Sequence, residues 1–139
     1  MEAILTQFMA FALTLAGAAP SQPIPEVAAW SAIVEAPEAH LYRPVRAFLQ
    51  FHSVEEDWEC YQTRFAPEGW IAVRAWTYEQ LLWDPVEFER PEALVFVRRG
   101  SRLARLVPRL QPHDRIALVG VVRTAQLGRP WMEVRGFQP

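Results

Sequence analysis

A chain of 139 residues, 51% hydrophobic and 22% charged, is long enough for one domain with a buried core and too apolar to be of the disordered type. Its net charge of −2 argues against a dedicated nucleic-acid binder, whose affinity rests on a basic surface that neutralises phosphates. The single cysteine, Cys60, excludes an internal disulfide, a CxxC redox pair and a thiol-rich zinc site.

The first stretch, residues 1–19, reads MEAILTQFMAFALTLAGAA. Phe8 to Ala16 is an apolar run relieved only by Thr14, and small residues follow it, the pattern of a secretory signal peptide cut after Ala18. The run falls short of the ~20 apolar residues of a transmembrane helix. The expectation is an exported protein, periplasmic or secreted. Glu2, with no Lys or Arg beside it, is atypical of a signal and keeps a cytoplasmic protein with a packed hydrophobic helix as the alternative. Residues 20–25 form a proline-studded spacer that no helix can cross, because each proline removes an amide donor. The domain proper is then 26–139.

Pro25-Glu26 predicts a helix start, with Val27, Trp30 and Val34 on one apolar stripe and Ala36-Pro37 closing it. Residues 41–52 alternate, Val45, Ala47, Leu49 and Phe51 against Arg46, Phe48, Gln50 and His52, which predicts a long first strand with the former set inward. An acidic loop follows over 53–59, and 60–65 is expected to extend a hairpin. Ala66-Pro67-Glu68-Gly69 is a turn signal before a second strand over 70–77. There Ile71, Val73 and Ala75 are expected to face in, and Ala72, Arg74 and Trp76 out.

Residues 78–92 make a long connection, with one or two helical turns in YEQLLW and loop in DPVEFERPE. A third strand spans 93–99, apolar on both faces until Arg98 and Arg99. Ser101 caps a helix that carries Leu103, Leu106, Val107 and Leu110 inward and Arg102, Arg105 and Arg109 outward, shortened by Pro108. A fourth strand runs over 116–124, where Gly120 marks a bulge or sharp bend. After a turn at 127–130 the last strand, 131–137, sets Met132 and Val134 against Trp131, Glu133 and Arg135.

The predicted fold is therefore all-β with short helices, a five-stranded OB-fold-like barrel with a helix between its third and fourth strands and another helix before it. Three stretches carry a resemblance. APEAHLYRPVRAFLQ resembles the approach to the first strand of bacterial exported OB-fold domains, LQPHDRIALVGVV their lead into the fourth strand, and GRPWMEV their fifth. The resemblance covers residues 35–134. It departs at Phe48 and His113, where such domains carry glycine, and in the long 78–92 connection. It implies a fold and little chemistry, since many such domains have no assigned activity.

Nothing in the sequence spells out a catalytic centre, a cofactor motif or a metal site. Glu55, Glu56, Asp57 and Glu59 are the densest acidic feature, but they lack the DxDxDG spacing and the glycine of a calcium loop. His40, His52 and His113 show no ligand spacing, and His52 with Cys60 is a remote nucleophile–base pairing without an oxyanion loop. Two features point to binding. The six tryptophans are a surplus, and Arg98, Arg99, Arg102, Arg105 and Arg109 form a basic patch. Aromatic anchors beside arginine are enriched in protein interfaces. The expectation is a non-catalytic binding module that takes a protein or small ligand on the face of the second and third strands and the 78–92 loop, through Arg74, Trp76, Trp83, Arg98 and Arg99. The alternative is single-stranded nucleic acid held by stacking and charge on the same residues. A small hydrolase-like enzyme comes third.

Overall fold

The computed structural model describes residues 24–138. The expected signal peptide, 1–19, and most of the spacer lie outside the described residues. Among the described residues the chain is mostly β, with six strands in one sheet and a few short helices. The strands are β1 (Glu26–Val27), β2 (Pro44–Glu55), β3 (Trp70–Thr77), β4 (Ala93–Arg98), β5 (Arg115–Thr124) and β6 (Trp131–Gln138).

β2 is long enough to serve two partners. Its residues Pro44 to Gln50 pair antiparallel with β5, and Leu49 to Glu55 pair antiparallel with β3. β3 pairs with β4, β4 runs parallel to β6, and β6 pairs with β5. The pairings thus return to β2 where they began. A register shift between Phe51 and Ser53 sets His52 out of the β2–β3 ladder, the usual effect of a bulge on the side chain it re-aims.

The alternation in β2 places Val45, Ala47, Leu49 and Phe51 in the main core, all 5% exposed or less. Val73, Ala75, Val95, Val97, Ile116, Leu118, Val122, Met132 and Val134 join them from the other strands. Gly120 is required by this packing. A Cβ there would stand 2.4 Å from Met132 Sδ and 3.1 Å from the Glu133 carbonyl, so β5 and β6 approach closely only because Gly120 has none.

The sixth strand corrects the sequence expectation at its start. Glu26 and Val27, expected to open a helix, pair parallel with Val45 and Arg46, and the Ala28 amide donates to the Arg46 carbonyl at 3.0 Å. β3 reaches only as far as Leu49, so this edge of β2 would otherwise present unpaired backbone groups. The helix α1 then spans Trp30–Glu35. Its buried pair is Trp30 and Ile33, while Val27 and Val34, expected inward, are 62% and 42% exposed.

Two further corrections follow from local chemistry. Residues 58–65 form a compact loop and no hairpin, held by Trp58 Nε1 donating to the Phe65 carbonyl at 2.6 Å and turned at Arg64, φ 63°. In the long connection the helix lies at Pro85–Glu89 (α2) and not in YEQLLW. Asp84 accepts from the Val86 amide at 2.9 Å and Pro85 occupies the first helical turn, which together make a stronger start signal than the apolar run before them. The helix after β4 is α3, Arg102–Leu106, extended by a 3₁₀ turn through Pro108. Ser101 Oγ caps it by accepting from the Ala104 amide at 3.2 Å.

Leu103, Ala104, Val107 and Leu110 of this helical segment pack on the main core, while Arg102, Arg105 and Arg109 are exposed. A second, aromatic cluster covers the other face of β3, β4 and β6. It contains Phe65, Ala72, Phe96 and Trp131, with Trp58, Trp70 and Leu94 against them. Ala72, expected to face water, is therefore 0% exposed. Trp76, expected outward too, is 1% exposed because the rings of Phe88, His52 and His113 lie over it. Among the described residues no helix is long and apolar enough to cross a membrane.

Candidate functional site

A groove of about 890 Å³ is lined by residues of the acidic loop after β2 and of the turn before β6. Trp58, Leu94 and Trp131 supply its apolar lining, with Trp30 of α1 at one end. The two indoles also fix the walls. Trp58 is bonded to the Phe65 carbonyl, and Trp131 Nε1 donates to the Gln126 carbonyl at 2.7 Å. Trp131 is stacked on Phe96 at 5.8 Å, and Trp58 stands edge-on to the same ring at 5.4 Å. One ring of β4 thus orients both tryptophans.

The rim is ionic. Glu55, Asp57, Glu59 and Glu92 supply acids, and Arg74, Arg90 and Arg129 supply bases. Arg74 and Glu55 pair at 3.0 Å. Glu59 is partly committed to its own loop, its Oε1 accepting from the amides of Tyr61 and Gln62 at 2.7 and 3.1 Å. Leu127, at φ 62° and 57% exposed, stands at the tip of the opposite wall. Volume, apolar lining and a few polar groups are the properties of a ligand groove.

The expected site residues do not gather in one place. Arg74 lines the groove. Trp76 is buried beneath a covering stack. His113 lies parallel to it at 4.7 Å, Phe88 of α2 at 5.3 Å, and His52 meets it edge-on at 4.7 Å. Its Nε1 donates to the Phe88 carbonyl at 3.0 Å, so it presents neither face nor donor to a ligand. Trp83 is 80% exposed on the connection before α2. Arg98 sits at the far end of β4, over the Trp70 ring at 4.8 Å, and the Arg99 Nε donates to the Pro67 carbonyl at 2.8 Å.

His52 and Cys60 serve different neighbours. The His52 Nδ1 lies 2.6 Å from Ser53 Oγ, while Cys60 belongs to the 58–65 loop, where its carbonyl accepts from the Arg64 amide. Burial holds the His52 imidazole below its ordinary pKa, and the positive charge of Arg74 adds to this, against an opposing pull from Glu89. Among the described residues no three His, Cys, Asp or Glu side chains come together as a metal site.

Sequence reasoning missed two residues that organise this region. Gln80, 7% exposed, uses both ends of its amide. Its Oε1 accepts from the amides of Thr77 and Glu92, and its Nε2 donates to the carbonyls of Arg90 and Glu87. It ties both ends of the 78–92 connection together. Glu133, 6% exposed in β6, lies within 4 Å of three guanidinium groups. Neither has a motif. Neither stands out in its stretch, since Gln80 follows Glu79 in a mixed connection and Glu133 alternates with Met132 and Val134 as an outward strand residue does. Comparison of the chain with known protein families, with characterised proteins and with solved structures gives no match.

Proposed function

We propose that this protein is a non-catalytic binding module of OB-fold type that takes an extended segment of a partner protein in the groove between the 55–59 loop and the turn before β6. The fold reading rests on the strand pairings, β2 to β3, β3 to β4, β4 parallel to β6, β6 to β5 and β5 back to β2, with α3 between β4 and β5. The observation that carries the functional reading is the combination of an apolar lining, Trp58, Leu94 and Trp131, with acids and arginines on both sides of it.

Mixed charge around an aromatic floor favours a peptide over a nucleic acid, because Glu55, Asp57, Glu59 and Glu92 would repel phosphates. With Glu55 occupied by Arg74, three acids face two arginines, so a peptide bearing Lys or Arg beside an aromatic or aliphatic side chain is preferred. Export to the periplasm or beyond belongs to the same reading and is supported by the pattern of residues 1–19. Mass spectrometry of the mature N-terminus tests it, cleavage after Ala18 being the expected result.

The test of the groove is a tryptophan-fluorescence and amide-NMR titration of the full chain with short peptides of basic-aromatic and acidic-aromatic composition. Saturable shifts at Leu94, Trp131 and Glu92 with the basic peptides are expected. Leu94→Arg, which fills the groove from a half-buried position, should abolish them while leaving the fold intact by circular dichroism. A titration in which these residues stay silent, or respond equally in Leu94→Arg, would end the proposal.

A further inference from the structure

We propose that Arg98, Arg123 and Arg135 form a second binding site, for a tetrahedral oxoanion of the phosphate or sulfate type, on the face of β4, β5 and β6 that turns away from the main core. It does not depend on the groove.

The site is built around Glu133. Its carboxylate is almost wholly buried, and a buried charge requires a partner. Arg123 Nη1 supplies one at 2.8 Å. Arg135 and Arg98 add two more guanidinium groups at 3.3 and 3.6 Å. Neutralising one carboxylate needs one guanidinium, so the other two are a surplus of positive charge held in one place against their mutual repulsion. The chain as a whole is slightly acidic, at −2, so the surplus is local and not a by-product of a basic surface.

The three side chains remain accessible, at 61%, 42% and 56% exposure for Arg98, Arg123 and Arg135. A guanidinium has five N–H donors in a rigid fork suited to oxoanions. Among the described residues, the three make one side-chain hydrogen bond in total, that of Arg123 to Glu133. Most of their donors are therefore left for a ligand. They are also held in place. Arg98 stands over the Trp70 ring at 4.8 Å, and Glu133 draws all three together, so much of the entropy of gathering them is lost before a ligand arrives. Two surplus positive charges match a dianion such as hydrogen phosphate, sulfate or the terminal group of a phosphate monoester.

The experiment is an NMR titration of the arginine Nε–Hε resonances of the full chain at pH 7.5 and constant ionic strength. Sodium chloride is exchanged for sodium phosphate in one arm and for sodium sulfate in the other. Saturable shifts confined to Arg98, Arg123 and Arg135 are expected, with the tighter anion identifying a phosphoryl or a sulfuryl ligand. Arg135→Gln and Arg98→Gln, both at exposed positions, should each weaken binding roughly tenfold, the loss of one charged hydrogen bond. Linear drift shared with chloride would overturn the site. So would saturable binding that moves Arg102 and Arg105 instead, or an affinity unchanged in both folded variants.

Discussion

The imidazole of His113 lies against the indole of Trp76, centroids 4.7 Å apart and planes 18° from parallel, and the backbone takes φ 74° at His113 to put it there. A left-handed φ at a residue with a Cβ costs on the order of 1 kcal/mol, which explains why glycine suits this position. Here the strain is offset by an aromatic contact that helps to bury Trp76, and by the bonds of the same turn to β2. His113 N donates to the Phe51 carbonyl and Phe51 N to the Asp114 carbonyl, each at 2.8 Å.

His113→Ala keeps the strain and loses the stack, so it should destabilise the protein by about 1–2 kcal/mol in urea unfolding. His113→Gly loses the stack but relieves the strain, and should fall closer to the wild type than alanine does. Equal stability of the two variants would show that the backbone conformation at residue 113 carries no strain worth relieving.

His52 makes stability depend on pH. Its folded-state pKa lies below the ordinary 6.5, chiefly through burial and secondarily through Arg74. Between the two values the unfolded chain binds a proton that the folded chain does not. Stability therefore rises with pH across that window and is lost as pH falls through it. Urea midpoints measured from pH 5 to 8 should show this slope, and His52→Gln should flatten it. A slope unchanged in His52→Gln would assign the dependence to another group.

Gln80 should be among the least replaceable polar residues. Gln80→Ala leaves the amides of Thr77 and Glu92 and the carbonyl of Arg90 without their partner, and is expected to cost about 2–4 kcal/mol. Gln80→Glu keeps both acceptor bonds but sets a carboxylate against the carbonyls of Glu87 and Arg90, so it should not rescue. Amide exchange at Thr77 and Glu92 reports the loss directly. Wild-type protection of both amides in Gln80→Ala would remove its bracing role.

Much of the β architecture was legible. Period-two alternation in residues 45–51 identifies the inward face of β2 because a side chain's face in a strand depends only on parity. Ser101 and Pro108 bound α3 through local hydrogen bonding and sterics, which a short window contains. The start of the domain is not legible in the sequence, because a two-residue strand has no periodicity. Glu26 and Val27 are extended on account of an open edge on β2, nearly twenty residues away in sequence.

The site divides along the same line. Arg74 reaches the groove, as its outward parity suggests, but Trp76 on the same face is sealed by Phe88, His52 and His113 from three other segments. Parity says which way a side chain points and nothing about what is laid over it. The groove and the arginine cluster are likewise products of pairing. Glu133 meets Arg98 because β6 runs beside β4, and Arg123 because β6 also pairs with β5.

Short stretches of sequence specify the five longer strands, the inward face of β2 and the capped helix after β4, since each depends on alternation or capping among near neighbours. The edge strand β1, the close approach at Gly120, the outward residues that stay exposed, the tryptophans that line the groove and the arginines that share a carboxylate come from packing between distant segments. Those outcomes depend on long-range pairing, whose register no local pattern contains.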